Sequence, residues 1–229
     1  LCDAGLRPDR LAAVLRLFTT LRTEVIGGQY LDLVCAQRGT VPAGPVRDGT
    51  APAGAQRTAA EQISAAERII RYKSAKYTVE RPLQLGAAVI GTRGDEGFLS
   101  GYGLPLGEAF QLRDDVLGVF GDPETTGKPA GEDIREGKQT LLLVLGRQMA
   151  GPAERRVLES VPGDPAATGA DIAGVRTVLV SCGALDAVER RIASLAGQAR
   201  AALGAEPGVP DGARAALLQM AGLATRRGR

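Results

Sequence analysis

Residues 108–138 read EAFQLRDDVLGVFGDPETTGKPAGEDIREGK, and this stretch decides how the chain folds. Its first half carries apolar residues at three- and four-residue spacing, namely Ala109, Leu112, Val116 and Val119. This period places one apolar stripe along a single face of an α-helix. After Phe120 the pattern breaks at residues 121–123, and a short polar turn follows. We therefore predict an amphipathic helix that ends near Phe120, followed by a turn.

The polar side of the same helix carries Gln111, Asp114 and Asp115. At about 100° per residue, Gln111 and Asp114 lie on neighbouring parts of one face, and Asp115 stacks one turn above Gln111. Adjacent carboxylates repel each other, so a crowded pair favours a divalent cation held between the protein and an anionic ligand. The lysines of the following turn, Lys128 and Lys138, suit a phosphate group bridged by such a cation. A solvated helix followed by a loop explains the same spacing, since acidic pairs and loop lysines are common.

Two upstream segments carry further polar residues. In RYKSAKYTVERPLQLG, residues 71–86, Lys73 and Ser74 combine an ammonium and a hydroxyl that can bind phosphate. Lysines near a helix C-terminus are also favoured by the macrodipole, so this pattern leaves both interpretations open. In EVIGGQYLDL, residues 24–33, two glycines and Gln29 interrupt an apolar helix. Each glycine costs about 1 kcal/mol relative to alanine, which indicates close helix approach, a kink beside a ligand, or a frayed end.

Together these segments resemble the trans-polyprenyl diphosphate synthases. The family's FQxxDD, GKPxGxD and GKxT elements stand in order at residues 110–115, 127–133 and 137–140, and the two upstream segments match at the corresponding places. The resemblance implies prenyl transfer: an allylic diphosphate ionises and alkylates isopentenyl diphosphate, which gives geranylgeranyl diphosphate or a similar all-trans product. It further implies Mg²⁺ as the cofactor, with Asp114 and Asp115 as its ligands and Gln111 beside the reacting centre.

The resemblance also implies which residues contact the two substrates. Lys73, Lys128 and Lys138 would contact the diphosphate, and Ser74 would lie near the carbocation. Gln29 and Asp32 would face the central cavity. The implied catalytic set is Lys73, Gln111, Asp114 and Lys128. The family commonly forms homodimers through helices in this portion, so a homodimer is expected.

No segment shows sustained period-two alternation, so we predict an all-α chain. By resemblance, its fold is an isoprenoid synthase-type helical bundle around a central cavity, formed by one domain over residues 1–229. Residues 37–57 are rich in Gly, Pro, Ala, Thr and Arg, and we expect a mobile loop there. The expected helices are 8–36, 59–77, 83–90, 108–120, 140–150, 153–161, 171–180, 184–204 and 211–223, and residues 91–107 are expected to form a glycine-rich connection or a short helix pair.

Composition excludes several classes of protein. The net charge is +2, from 28 basic and 26 acidic residues, and aromatic residues make up only 3%, which argues against nucleic-acid binding. Histidine is absent, which removes His-ligated zinc and Ser/His/Asp triads. Three widely spaced cysteines suit reduced thiols in a cytosol. No apolar run approaches the length of a membrane span, so we expect a cytoplasmic protein without a transmembrane segment.

The chain departs from the family pattern in two ways. The second motif of the family is usually DDxxD, but its fifth position here is Gly118. Asp122 lies on nearly the same helical face as Asp115 and would replace the carboxylate if the helix continued that far. The first aspartate-rich motif of the family occurs nowhere in the chain, and its place lies upstream of the region that matches Leu1. We therefore expect that the N-terminal helices of the bundle are lacking and that this polypeptide alone turns over little or nothing.

Two alternatives follow from these departures. A class I terpene cyclase ionises the same substrates, but it would need an Asn/Ser/Glu metal triad on a late helix, and none follows Lys138. A non-catalytic partner subunit of a prenyl synthase fits the missing motif and Gly118. The intact Lys73, Asp114 and Lys138 favour the enzyme.

Overall fold

The computed structural model describes residues 5–38, 58–91, 96–122, 124 and 131–226. Over these ranges the chain is helical and contains no strand, which confirms the all-α prediction. The helices are α1 (Pro8–Arg38), α2 (Ala59–Ile69), a π-helix (Ile70–Glu80), α3 (Arg81–Ile90), α4 (Glu96–Phe120), α5 (Glu132–Arg135), α6 (Leu141–Met149), α7 (Pro152–Ser160), α8 (Gly169–Ser181), α9 (Ala184–Ala205) and α10 (Asp211–Arg226). Residues 39–57 of the expected loop lie outside the described ranges, whereas α1 continues through residues 37 and 38.

Residues 59–90 stay helical throughout, with a change of winding in the middle. Thr58 begins α2 with a capping box, in which its hydroxyl accepts from the Glu61 N–H and the Glu61 carboxylate accepts from the Thr58 N–H. Ile70–Glu80 then adopts the wider π-helical winding, and α3 follows it without a break. Pro82 lies in the first turn of α3. Gly91 ends α3 in the left-handed conformation, at φ 73°. The expected gap between two helices is therefore a widening of one continuous helix.

α4 begins at Glu96 and is 25 residues long. The expectation of a glycine-rich connection or a short helix pair over residues 91–107 is therefore wrong for residues 96–107, which belong to this one helix. The reason is that two of these glycines allow close packing. A Cβ atom on Gly107 would lie 2.6 Å from the Ala75 Cα, and one on Gly103 would lie 2.9 Å from the Glu80 Cα. Both glycines therefore let α4 contact the backbone of the π-helix.

The predicted apolar stripe of α4 forms part of the main core. Ala109, Leu112, Val116 and Val119 are each 5% exposed or less. They pack in one cluster with apolar residues of α6, α8 and α9, which include Leu142, Leu143, Val175, Leu179, Val188 and Ile192. Because this stripe is buried, the direction of the adjacent polar face of α4 is fixed as well, and that face carries Gln111, Asp114 and Asp115.

The last helix, α10, is fastened to α4 by polar contacts. The Tyr102 hydroxyl donates to the Leu217 carbonyl at 2.6 Å, and burial raises the pKa of this phenol to about 12. The Arg113 guanidinium donates to both carboxylate oxygens of Glu189 at 2.6 and 2.7 Å and to the Thr225 carbonyl at 3.2 Å. Arg113 thus joins α4, α9 and the final turn of α10.

An ion-pair network, formed by Glu24, Lys76, Glu80 and Arg81, joins α1 to the far end of the π-helix. Arg81 donates to both carboxylate oxygens of Glu24 at 2.7 Å. The Lys76 ammonium lies 2.9 Å from Glu24 and 3.2 Å from Glu80. Burial alone would raise the pKa of Glu24, but the hydrogen bonds from Arg81 and Lys76 outweigh it and lower that pKa.

Within the described ranges, no helix is long and apolar enough to cross a membrane. Cys35 is buried in α1 and Cys182 is half-buried after α8, and neither forms a disulfide.

Candidate functional site

The polar face of α4 borders a cavity of about 170 Å³, which is bounded by α1, α2, the first turn of the π-helix, α4 and residues 133–141. α4 contributes Gln111, Asp114 and Asp115 to its lining, and the π-helix contributes Lys73 and Ser74. Its apolar part consists of Ala66, Ile69, Ile70 and Leu141. Residues that the sequence places about 40 positions apart therefore line one space.

Among the described residues, Asp115 is one of two buried carboxylates that line this cavity. Its side chain accepts a hydrogen bond from Gln111 Nε2 at 2.8 Å, and the residue is 7% exposed. The pKa of Asp115 is raised to about 7, chiefly by burial. The Gln111 hydrogen bond opposes this rise, and the charges of Asp133 and Asp114 add to it. Asp114 is exposed and lines the open side of the cavity. A cation placed among these carboxylates would relieve their repulsion.

The turn after α4 brings a third carboxylate and a lysine into the cavity. Gly131, in the left-handed conformation at φ 72°, begins α5, and Asp133 is 5% exposed within it. The Lys138 N–H donates to the Asp133 carbonyl at 3.1 Å, and the Lys138 ammonium contacts the Asp133 carboxylate. Burial alone would lower the pKa of Lys138, but Asp133 and Glu136 together raise it. The turn is held in place by Gly163, whose N–H donates to the Ile134 carbonyl at 2.8 Å.

Asp133 fills the place that Gly118 leaves open on α4. A Cβ atom on Gly118 would lie 1.9 Å from Asp133 Oδ2, so any side chain there would displace this carboxylate. Asp122, which the sequence offered as the replacement, lies beyond the end of α4 at Phe120, is exposed, and accepts a hydrogen bond from the Glu124 N–H at 3.0 Å. The geometry thus favours Asp133 over Asp122 as the third carboxylate. The GKPxGxD motif was the sequence signal that could have identified it.

The other residues expected at the site are placed as follows. The Lys73 ammonium contacts the carboxylate of Asp32 on α1, and Ser74 is buried beside it. Asp32 lines the cavity, whereas Gln29 is exposed on α1 and outside the cavity lining. Lys128 lies outside the described residues. The structure therefore brings Lys73, Ser74 and Lys138 together with the acidic face of α4.

The donor set fits a magnesium ion that is shared with an anionic ligand. Asp114, Asp115 and Asp133 offer only hard oxygen ligands, which Mg²⁺ prefers, and it usually takes just one or two protein carboxylates together with phosphate oxygens. Among the residues that the structure describes, no three acidic, cysteine or histidine side chains stand close enough to hold a metal by themselves. The carboxylates would therefore hold Mg²⁺ together with an anion that enters between them and the two lysines.

Comparisons with known proteins agree with this geometry. Residues 5–178 match the model of the polyprenyl synthetase family. The chain is 38% identical over 132 residues to the geranylfarnesyl diphosphate synthase of Aeropyrum pernix, which covers 57% of this chain and 40% of the relative. It is 32% identical over 147 residues to the farnesyl pyrophosphate synthase of Bos taurus, which covers 63% of this chain and 36% of the relative.

Two solved structures share the fold. The geranylgeranyl pyrophosphate synthase from Corynebacterium glutamicum, complexed with isoprenyl diphosphate and magnesium, superposes with a TM-score of 0.85 at 38% identity. The match covers 99% of this chain and 58% of that one. The polyprenyl synthase from Caulobacter crescentus, complexed with calcium and isoprenyl diphosphate, gives a TM-score of 0.74 at 31% identity, over 94% of this chain and 59% of that one. The chain thus spans less than two thirds of the length of these relatives.

Proposed function

The chain belongs to the polyprenyl synthetase family, and from this premise we propose that it carries the diphosphate-binding half of a Mg²⁺-dependent trans-prenyltransferase. The substrates would be isopentenyl diphosphate and an allylic diphosphate, and the product geranylgeranyl diphosphate or a similar all-trans polyprenyl diphosphate. One observation carries the proposal: the ammonium groups of Lys73 and Lys138 line the same cavity as the carboxylates of Asp114, Asp115 and Asp133.

The residues of the cavity have distinct tasks in this proposal. Lys73 and Lys138 exchange their present partners, Asp32 and Asp133, for oxygens of the diphosphate. Bound Mg²⁺ supplies positive charge that stabilises the diphosphate as it leaves. Asp115, oriented by the hydrogen bond from Gln111, and Asp114 hold that ion from α4.

The remaining residues complete the proposed site. The Ser74 hydroxyl lies next to Lys73 and offers a small polar group near the carbon that loses the diphosphate. Asp133 adds the carboxylate that Gly118 lacks. Lys128 is proposed as a further substrate contact on the strength of the motif that carries it, whereas Gln29, which lies outside the cavity lining, is not.

We also propose that the protein acts in the cytoplasm as a homodimer. An apolar stripe is exposed along α1 and contains Leu15, Phe18, Ile26, Tyr30 and Leu33. A large exposed apolar surface of this kind is typical of a protein interface. Light scattering coupled to size-exclusion chromatography tests this, since the chain is expected at twice its mass of 23.7 kDa; elution as a monomer at micromolar concentration would contradict it.

Calorimetric titration of the 229-residue chain with farnesyl diphosphate tests the proposed site. Binding is expected in Mg²⁺ and not in EDTA, and Lys73→Met should weaken it about tenfold, because one charge-assisted hydrogen bond is lost. Lys76→Met is the matched control, because Lys76 lies three residues further along the same π-helix but pairs with Glu24 and Glu80 outside the cavity. Equal binding with and without Mg²⁺, or equal losses in the two variants, would contradict the proposal.

A second assay addresses turnover. Radiolabelled isopentenyl diphosphate with farnesyl diphosphate should give little or no product with this chain alone, because it lacks the first aspartate-rich motif of the family. Rapid product formation by the chain alone would show that the motif is dispensable.

A further inference from the structure

The first turn of the π-helix is enclosed by two glycines from different helices. A Cβ atom on Gly28 of α1 would lie 2.3 Å from the Lys73 backbone nitrogen and 2.6 Å from the Lys73 Cα. On the opposite side, a Cβ atom on Gly107 of α4 would lie 2.6 Å from both the Cα and the carbonyl oxygen of Ala75. These are contacts with backbone, which cannot rotate away as a side chain can. Both neighbouring helices therefore reach the backbone of residues 73–75.

The winding of the π-helix explains why these approaches need glycine. A π-helix has more residues per turn than an α-helix, so its backbone lies further from its axis. A wider turn between two packed helices brings its backbone against theirs, and there is no room for a Cβ atom at the points of contact. Residues 70–80 hold this winding while they place Lys73 and Ser74 in the cavity.

α1 contacts Lys73 at both ends of the residue. Gly28 and Asp32 are four residues apart and so lie on the same face of α1. Gly28 contacts the Lys73 backbone, and the Asp32 carboxylate contacts the ammonium group at the end of the same side chain. The reach of Asp32 to Lys73 depends on the distance between the two helices, and Gly28 sets that distance.

We propose that Gly28 is a positioning residue for Lys73. Its missing side chain lets α1 lie close enough to the π-helix for Asp32 to hold the Lys73 ammonium at the cavity. A methyl group at residue 28 pushes the two backbones apart, withdraws Asp32 and releases Lys73. The catalytic consequence of this placement rests on the proposed function, but the placement itself is measurable without any substrate.

The adjacent glycine provides a matched control. Among the residues that the structure describes, no atom outside the neighbouring backbone of α1 lies within 4 Å of a Cβ atom on Gly27. Gly27→Ala therefore adds the same methyl group to the same helix without pressing on the π-helix, and the change removes a glycine that costs helix stability. Any difference between Gly28→Ala and Gly27→Ala reports the contact with Lys73.

Acetylation of lysines with a limiting amount of N-hydroxysuccinimidyl acetate, followed by peptide mass spectrometry, measures the placement in metal-free buffer. Lys73 is expected to react several-fold faster in Gly28→Ala than in the wild type or Gly27→Ala. Lys138 is the internal reference, because it is held by Asp133 on another element and should react equally in all three proteins. An unchanged rate at Lys73 in folded Gly28→Ala, or an equal rise at Lys73 and Lys138, overturns the proposal.

Asp32→Asn keeps the proposal testable if Gly28→Ala does not fold. Asparagine has the same shape, and Asp32 is on the partly exposed side of α1, so this variant should retain the fold while it loses the charge that holds Lys73. Lys73 should then react faster as well. If Lys73 stays as protected as in the wild type, α1 does not hold it and the proposal fails.

Titration with inorganic pyrophosphate in Mg²⁺ separates this inference from the proposed function. Gly28→Ala should bind about tenfold more weakly than Gly27→Ala, which is the loss expected for one charge-assisted hydrogen bond. If folded Gly28→Ala binds pyrophosphate as tightly as the wild type does, the positioning role is overturned. If the wild type binds no pyrophosphate while Lys73 is still released in Gly28→Ala, the proposed function fails and the placement of Lys73 by Gly28 stands.

Discussion

The π-helix has a group of charged side chains at each end, and the two groups differ in whether the chain itself neutralises their carboxylates. At its start, Lys73 faces the acidic cavity, which contains Asp114, Asp115 and Asp133. At its far end, the ion-pair network surrounds Glu24 with Arg81 and Lys76. The side chains of the network are largely buried, and Asp115 and Asp133 of the cavity are buried, so water does little to screen these charges.

The pKa values show the difference between the two groups. In the network, the hydrogen bonds from Arg81 and Lys76 overcome the effect of burial and lower the pKa of Glu24. In the cavity, burial and the neighbouring Asp133 and Asp114 raise the pKa of Asp115 to about 7. The chain supplies the counter-charges of the network itself, whereas the cavity keeps carboxylates whose repulsion a cation from solution would relieve. The network is therefore expected to serve stability, and the cavity to serve binding.

Asp115→Asn should have the largest effect. It removes a proposed metal ligand, so the affinity for pyrophosphate in Mg²⁺ should fall about a hundredfold. The metal-free protein should melt at a higher temperature at neutral pH, because the buried charge that faces Asp133 is gone. Calorimetry and thermal unfolding in EDTA measure the two effects, and Asp122→Asn, an exposed carboxylate outside the cavity, is the control. Lower stability without any loss of affinity would make Asp115 a structural residue.

Glu24→Gln should show the reverse behaviour. It leaves Arg81 and Lys76 without their shared carboxylate, and we expect a loss of about 2–3 kcal/mol in the free energy of unfolding. The affinity for pyrophosphate in Mg²⁺ should not change. Urea unfolding and calorimetry test the prediction, and a large loss of affinity would mean that the network acts on the cavity.

Lowering the pH should weaken the ion-pair network and reduce the free energy of unfolding, by less than Glu24→Gln does. Because the pKa of Glu24 is lower in the folded chain than its ordinary value of 4.5, the unfolded chain binds more protons in this range. The stabilisation by Glu24 is complete above 4.5 and is lost as the pH falls through the lowered pKa. Urea unfolding at a series of pH values should therefore show a steeper loss of stability in acid for the wild type than for Glu24→Gln. Parallel curves would refute this.

Glu67→Gln should have the smallest effect. The Glu67–Arg191 pair, at 3.3 Å, has both side chains 45% exposed, so water and salt screen it. The free energy of unfolding should change by about 0.5 kcal/mol or less. This variant is the exposed reference for Glu24→Gln. If both variants lose a similar free energy of unfolding, burial of the network adds nothing to its contribution to stability.

Sequence patterns sufficed for the features that depend on near neighbours. The stripe from Ala109 to Val119 gave the buried face of α4, and with it the direction of Gln111 and Asp115, because helical period alone decides both. The later helices lie within three residues of their expected bounds, since Pro and Gly mark most of their ends.

Features that depend on distant partners were missed. The glycines of residues 101–107 look like a connection in sequence, and only their contact with the π-helix explains a helix that begins at Glu96. Asp133 was not selected because its relation to Gly118 requires the turn to fold back on α4. Asp32 was expected to face the cavity by resemblance, but its pairing with Lys73, 41 positions away, was not predicted. Local propensity carries no information about such pairs.

The attachment of α10 to α4 has a practical consequence. Arg113, which grips the final turn of α10 through the Thr225 carbonyl, immediately precedes Asp114 in the chain. Shortening the C-terminal end, or fusing a bulky tag to it, would disturb the contact of Arg113 with α10 and with it the turn of α4 that carries Asp114. Expression vectors for biochemical work should therefore place affinity tags at the other end.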